Sequence, residues 1–260
     1  MTALTPALPA RRRGAVHWWR GYASMVRWEL VRMRALIPMT MIVQVFTGAG
    51  AVIGFGLLIP DLSPTRALYL SSGAVVITLT TIGLVMGPQL IAQQRLSGQF
   101  DYMQSLPTPS SATAAAWTSV NVVVAVPGAM AALLVAMWRY DLQFDLAPYV
   151  VPALLLILAS GTLIGQSIAV AVPNPRVVNV IAQLLIFITF GFSPISFPAE
   201  HLPEWLQAVH RWLPFESMAD LTRAGLTSSA AIEVGRGFLL LSVWTVLATL
   251  VLGVVLRRRA

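Results

Sequence analysis

Long uncharged blocks separated by short charged ones set the pattern of this chain. Uncharged windows cover 35–60, 67–94, 102–138, 146–175, 177–199 and 237–256. Each holds about 20 residues or more, which at ~1.5 Å per residue is enough to cross a ~30 Å hydrocarbon core. Trimmed to their apolar centres they predict spans near 36–59, 68–91, 114–138, 149–172, 177–196 and 237–256. The fold class expected is all-α: an integral membrane protein with six transmembrane helices.

Three segments outside these windows carry mixed patterns. Val16–Arg34 alternates as a helix, with Trp18, Tyr22, Met25 and either Trp28 or Glu29 near one face. Arg13, Arg20, Arg27 and Arg34 recur every seven residues as a basic stripe. An amphipathic helix lying on anionic lipid fits this pattern, and so does one that also embraces a cytosolic partner. Trp18, Arg20, Arg27 and Trp28 are its candidate contact residues. The preceding Met1–Ala10 has no apolar period and reads as disordered. Leu36–Ile59 is too long for a signal-peptide core and no small-residue cleavage site follows it, so the N-terminus is expected to stay uncleaved.

Gln93–Ser111, between the second and third spans, is polar and short. It has room for one or two helical turns before Pro107 and Pro109 stop them, with Phe100, Met103 and Leu106 as an apolar edge. Two readings stand: a solvated connecting loop, or a rigid helix that receives force from a soluble motor. The third segment, Ser193–Leu226, is amphipathic and lies ahead of the last span. Pro203 suits a first helical turn, with Glu204 complementing the helix dipole. Leu202, Trp205, Leu206, Val209 and Leu213 then share a face. Pro214 breaks this helix and starts a second, where Glu216, Asp220 and Arg223 form a polar stripe. Neither piece is long or apolar enough to span. Both are expected at the membrane interface, with Trp205 and Trp212 at headgroup depth.

Composition sharpens the picture. The 260 residues are 57% hydrophobic and 10% charged, against about 25% charged in a soluble domain. The net charge of +7 is carried by 17 basic residues, every one of them arginine. A phosphate-binding G-x-x-x-x-G-K-[ST] loop therefore cannot exist here, nor Schiff-base lysine chemistry. The absence of cysteine removes disulfides and thiolate chemistry. The arginines flank apolar windows, which argues for membrane orientation rather than nucleic acid. With the N-terminus inside, 12 arginines fall in cytosolic segments and five outside, placing both termini in the cytosol. Arginine without lysine suggests a GC-rich bacterial source on codon grounds.

Candidate chemistry is sparse. His201 and His210 lie near Glu200 and Glu204, but their spacing fits no metal motif, so no metal ligand or catalytic residue is assigned. No ionisable residue occupies the middle of a predicted span, which counts against a proton-coupled carrier. The small-residue pairs Gly50/Gly54, Gly83/Gly87 and Gly161/Gly165 permit close helix crossings. Pro88 and Pro127 are expected to kink their helices.

Three features together make the chain resemble the permease subunit of a type-2 ATP-binding-cassette (ABC) exporter, a family with drug, lipid and polysaccharide exporters. Arg95-x-x-Gly98-x-x-Asp101 followed by Leu106-Pro107 is similar to the family's ATPase-docking loop. Pro194, Phe197-Pro198, Leu202-Pro203, Pro214 and Arg223 resemble its extracellular re-entrant helices. The layout of amphipathic helix, six spans and Arg-rich end matches from about Val16 onward. Gln94, Ser97 and Gln99 stand where the family's loop usually carries acidic and threonine residues.

The resemblance implies a cytosolic segment, 1–35, and a membrane domain, 36–260. It implies a coupling loop, 93–111, in which Arg95, Gly98, Asp101, Leu106 and Pro107 dock on the ATPase. It also implies extracellular helices, 198–225, in which Pro198, Pro203, Trp205, Trp212, Pro214 and Arg223 form a cap. The expected partners are cytosolic ABC ATPase subunits, a second or related permease, and lipid. ATP and magnesium would be bound by the ATPase subunit and no cofactor by this chain, which is not itself an enzyme. The expected cargo is hydrophobic or amphipathic. The competing expectation is an ATP-independent carrier or a non-transporting membrane subunit.

Overall fold

The computed structural model describes residues 14–59, 63–227 and 234–259. The expected tail, Met1–Ala10, and Arg11-Arg12-Arg13 lie outside them. Eleven α-helices occur among the described residues: α1 (Ala15–Met33), α2 (Leu36–Leu58), α3 (Pro64–Thr80), α4 (Gly87–Leu96), α5 (Gln99–Ser105), α6 (Ser110–Tyr140), α7 (Val150–Ala171), α8 (Pro175–Gly191), α9 (Glu204–His210), α10 (Pro214–Leu226) and α11 (Val234–Arg259). A π-helical segment, Thr81–Met86, joins α3 to α4. Extended structure among the described residues is limited to one isolated bridge, Asp145 with Thr227.

Among the described residues, five helical runs are long and apolar enough to cross a membrane: α2, α3 through α4, α6, α7 and α11. Their starts follow local chemistry. Pro64 and Pro175 occupy first helical turns, capped by the Ser63 hydroxyl and the Asn174 carboxamide, which accept from the backbone N–H of Arg66 and Arg176. The sixth expected span, 177–196, is helical only over Pro175–Gly191, 17 residues, before the chain turns.

The run α3–α4 is the centre of the bundle, and α2 and α11 lie on its periphery with most of their surface uncovered. The core is built from Val75, Ile77, Leu79, Ile82 and Leu84 of this run against Ile157 and Leu158 of α7 and Val124 and Ala132 of α6. The π turn sits immediately before Pro88. A proline has no N–H to continue an α ladder and its ring crowds the carbonyl four residues back. The wide turn, in which Gly87 N–H donates to the Ile82 carbonyl, resolves that conflict. Pro127, by contrast, lies within the continuous helix α6.

Two glycine crossings set helix spacing. A Cβ at Gly165 of α7 would lie 2.1 Å from the Gly83 carbonyl oxygen, so that pair brings backbone against backbone. Gly48 of α2 meets the Gly128 carbonyl of α6 in the same way. The Gly50/Gly54 pair instead faces open space.

Candidate functional site: the short helix between the second and third spans

The chain leaves α4 through Ser97 and Gly98. Gly98 has φ +73°, the left-handed conformation that closes one helix and, here, opens the next. Its carbonyl accepts from Tyr102 N–H at 3.2 Å, so α5 starts with no intervening linker. Asp101 lies in the first turn, where its charge complements the helix dipole. Leu106 is extended, as a residue before proline prefers, and Pro107 ends the element.

The apolar edge of α5 faces inward. Met103 and Leu106 pack with Met25, Tyr22 and Val26 of α1 and Ala116 of α6, while Phe100 packs against the cluster around Ile91, Trp117 and Val170. Asp101, Tyr102, Gln104 and Ser105 are left exposed as the outer face. Arg95 turns away from that face. Its guanidinium donates to the carbonyls of Ala169 (2.8 Å), Val172 (2.6 Å) and Pro173 (2.6 Å), satisfying the free carbonyl end of α7. The expected docking set thus separates: Asp101 and Pro107 are exposed, Leu106 is partly buried, Gly98 shapes the turn, and Arg95 braces the base.

Helix α1 clamps the far side. His17 Nε2 hydrogen-bonds the Pro107 carbonyl at 3.0 Å, Trp18 Nε1 donates to Ser111 Oγ at 3.0 Å, and the Tyr22 and Ser119 hydroxyls are 2.8 Å apart. Gly21, Met25 and Glu29 form its buried line, so Glu29 rather than Trp28 continues the inner face. Arg20, Arg27 and Trp28 are exposed on the other side. Buried Glu29 accepts from Arg32 Nε at 3.2 Å, and Arg32 also donates to the Gln94 carboxamide oxygen at 2.8 and 3.0 Å. The Arg32 guanidinium lies over the Trp117 ring, 6.0 Å from its centroid. This network was not legible in the sequence beyond the i, i+3 pair of 29 and 32, because 94 and 117 share no local period with them.

At the opposite end of the bundle, the expected cap divides in two. Helix α9 is peripheral, with Trp205 and Trp212 exposed and Pro198 and Pro203 at the turns that precede it. Helix α10 is not. It is packed among α3, α7 and α11, and Pro214, Phe215, Met218, Leu221 and Leu226 are buried. The expected polar stripe of Glu216, Asp220 and Arg223 turns partly into the bundle: Glu216 and Asp220 are half-buried and Arg223 is 3% exposed. Its Nη1 donates to Asp220 Oδ1 at 2.8 Å, its Nη2 donates to the Ile195 carbonyl at 3.0 Å, and it stacks on Tyr69 of α3. A buried cation is tolerated because these partners replace its water. His210 is also buried. Burial lowers its pKa, against a backbone hydrogen bond at Phe192 that raises it. Among the described residues, no group of three His, Asp or Glu side chains converges as a metal site.

A family model described as ABC-2 type transporter matches residues 13–227. No curated protein matches the chain.

Proposed function

The chain belongs to the ABC-2 type transporter family, and from that premise we propose that it is the permease subunit of an ATP-driven exporter. In this reading, a separate cytosolic subunit binds ATP and magnesium and hydrolyses the nucleotide. The absence of any lysine in this chain supports that division of labour. The ATPase docks on the exposed face of α5 and on the exposed side of α1.

One observation carries the reading. Helix α5 is a short element fixed at both ends and at its base: by the left-handed turn at Gly98, by the Arg95 tie of α4 to α7, and by the α1 clamp at Pro107. A push on its polar face therefore reaches α4, α6 and α7 together. A solvated connecting loop needs none of these attachments.

We further propose that α8, continued by 192–196, is the sixth span, that both termini are cytosolic, and that the Ser193–Leu226 insertion faces outward. The arginine asymmetry supports this orientation. The working unit contains two permease copies or two related permeases, and the cargo is hydrophobic or amphipathic. Exposed Trp205 of α9 and Trp212 in the turn after it, suited to an interface between lipid and water, support a route that begins in the bilayer.

The test is purification of the tagged chain from its native membrane in mild detergent, followed by mass spectrometry. A P-loop ATPase in near-equal amount is expected, with its recovery sharply reduced by Asp101→Arg combined with Tyr102→Ala. Reproducible absence of an ATPase would favour a carrier or a non-transporting subunit.

A further inference from the structure

A cavity of about 80 Å³ lies beneath α5, walled by α4, α5, α6, α7 and α11. It has room for several waters or a comparable run of ligand atoms. Most of its wall is apolar, including Ile91, Phe100, Val170 and Leu252. Two hydrogen-bond donors among its lining residues have no partner: Trp117 Nε1 and Gln166 Nε2. Both residues are more than nine-tenths buried, at 8% and 4% exposure. Buried donors without acceptors cost free energy, which an acceptor bound in the cavity relieves.

We propose that this cavity binds the head of a neutral acyl lipid, a molecule with an ester carbonyl and an apolar tail. The two free donors suit an ester carbonyl as acceptor and bring no charge to balance an anion. Among the described residues lining the cavity none is charged. Arg32, which lies over the Trp117 ring, is already committed to Glu29 and Gln94. A phosphate or carboxylate head would therefore enter without a counter-charge.

Position argues for lipid rather than a soluble ligand. The cavity sits where α4 and α7 end and α6 begins, close to the end of the apolar run of α11. This is the depth at which helix ends meet lipid ester groups in a bilayer. A tail leaving beside Leu256 reaches the periphery of the bundle, where most of α11 is uncovered. Phe100, Met103 and Gln104 of α5 form one wall, so the lipid touches the helix that seats the loop. The site is defined by the bundle itself and does not depend on whether an ATPase docks outside it.

The test uses the full chain in phosphatidylcholine nanodiscs with a diazirine-bearing monoacylglycerol as the photoprobe. Labelled peptides are mapped by mass spectrometry, with monoolein, oleate and lysophosphatidic acid as competitors. Adducts are expected on the α5–α6 junction and the end of α11, competed by monoolein in preference to either anion. Trp117→Phe with Gln166→Leu removes both donors at similar size and should weaken labelling about tenfold, as expected for two neutral hydrogen bonds. A melting curve confirms that this variant is folded, and competition in the unaltered chain stands without it. Labelling spread along α2 and α8, labelling unchanged in the folded variant, or better competition by an anion would overturn the proposal.

Discussion

The guanidinium carbon of Arg223 lies 3.7 Å from the centroid of the Tyr69 ring, and this contact joins the insertion before the last span to the start of the central one. The same side chain holds Asp220 on its own helix and the carbonyl of Ile195 in the preceding turn. Arg223→Met should destabilise the folded chain by about 1–3 kcal/mol, because it leaves the Ile195 carbonyl and the half-buried Asp220 carboxylate without their cation. Adding Asp220→Asn should recover part of the loss. Thermal unfolding of the two variants checks this; equal melting of wild type and Arg223→Met would refute it.

Acidity should report on the same insertion. Burial pushes the Glu216 carboxyl above its ordinary 4.5, with Asp220 adding repulsion and Arg236 and Arg211 opposing. The folded chain therefore holds this proton to a higher pH than the unfolded chain. Its contribution is lost as pH rises through the raised value and regained on acidification toward 4.5. Asp220 shifts in the same direction, chiefly by burial. His210 acts oppositely, since its lowered pKa makes acidification through 6.5 favour the unfolded, protonated imidazole. Glu216→Gln should raise the melting temperature at about pH 7.5 and flatten the dependence on the acid side. Parallel melting curves across the series would show that Glu216 makes no such contribution.

Arg95→Gln tests the brace at the base of α5. Losing a charged donor to three carbonyls should cost about 2 kcal/mol and leave the end of α7 frayed. Hydrogen exchange should accelerate at the last turn of α7, and on the proposed exporter reading export per ATP hydrolysed should fall while the proposed ATPase still co-purifies. Loss of co-purification would instead place Arg95 in the docking surface itself.

Gly98→Ala isolates conformation from contact. A Cβ there meets nothing within 4 Å, but the left-handed backbone penalises it by about 1 kcal/mol. Gly98→Asn, which tolerates that conformation better, should fall between alanine and glycine in melting temperature. An unchanged melting temperature for Gly98→Ala would mean that the turn adapts freely.

Glycines separate cleanly by position. Gly165→Ala should cost about 1–3 kcal/mol, since its Cβ meets the Gly83 backbone. Gly54→Ala should stay within about 0.5 kcal/mol, because its Cβ enters open space. Paired melts in one detergent decide between them.

Much of this fold is legible as a one-dimensional pattern. The uncharged windows locate the long helices to within a few residues, because length and apolarity alone decide whether a segment can cross lipid. Pro64, Pro175 and Pro214 mark real helix starts for a local steric reason. Direction is harder to read. The stripe of Glu216, Asp220 and Arg223 was visible, but a helical period says which residues share a face, not whether that face meets water. Tyr69 and Ile195, which receive Arg223, are 154 and 28 residues away in sequence. The Gly48–Gly128 crossing and the Glu29–Arg32–Gln94 network were hidden for the same reason. For the loop, Pro107 was readable as a helix stop, whereas Gly98 was singled out only through the family resemblance and the inward reach of Arg95 depends on where α7 ends.

The wide turn at Thr81–Met86 has a consequence for phase. A helix advances about 100° per residue, so the half of the run that meets Arg223 and the half that ends at Arg95 keep their angular relation only while that turn holds its extra residue. Deleting one residue there would let the run close as ordinary α-helix with the phase kept, whereas closing it as α-helix with every residue retained would turn the Tyr69 half by about 100° against the Gln94 half. One side would lose its stacked arginine or the other its hold on Arg32. The most buried span is thus two helices clocked against each other, and the setting is kept by a single turn.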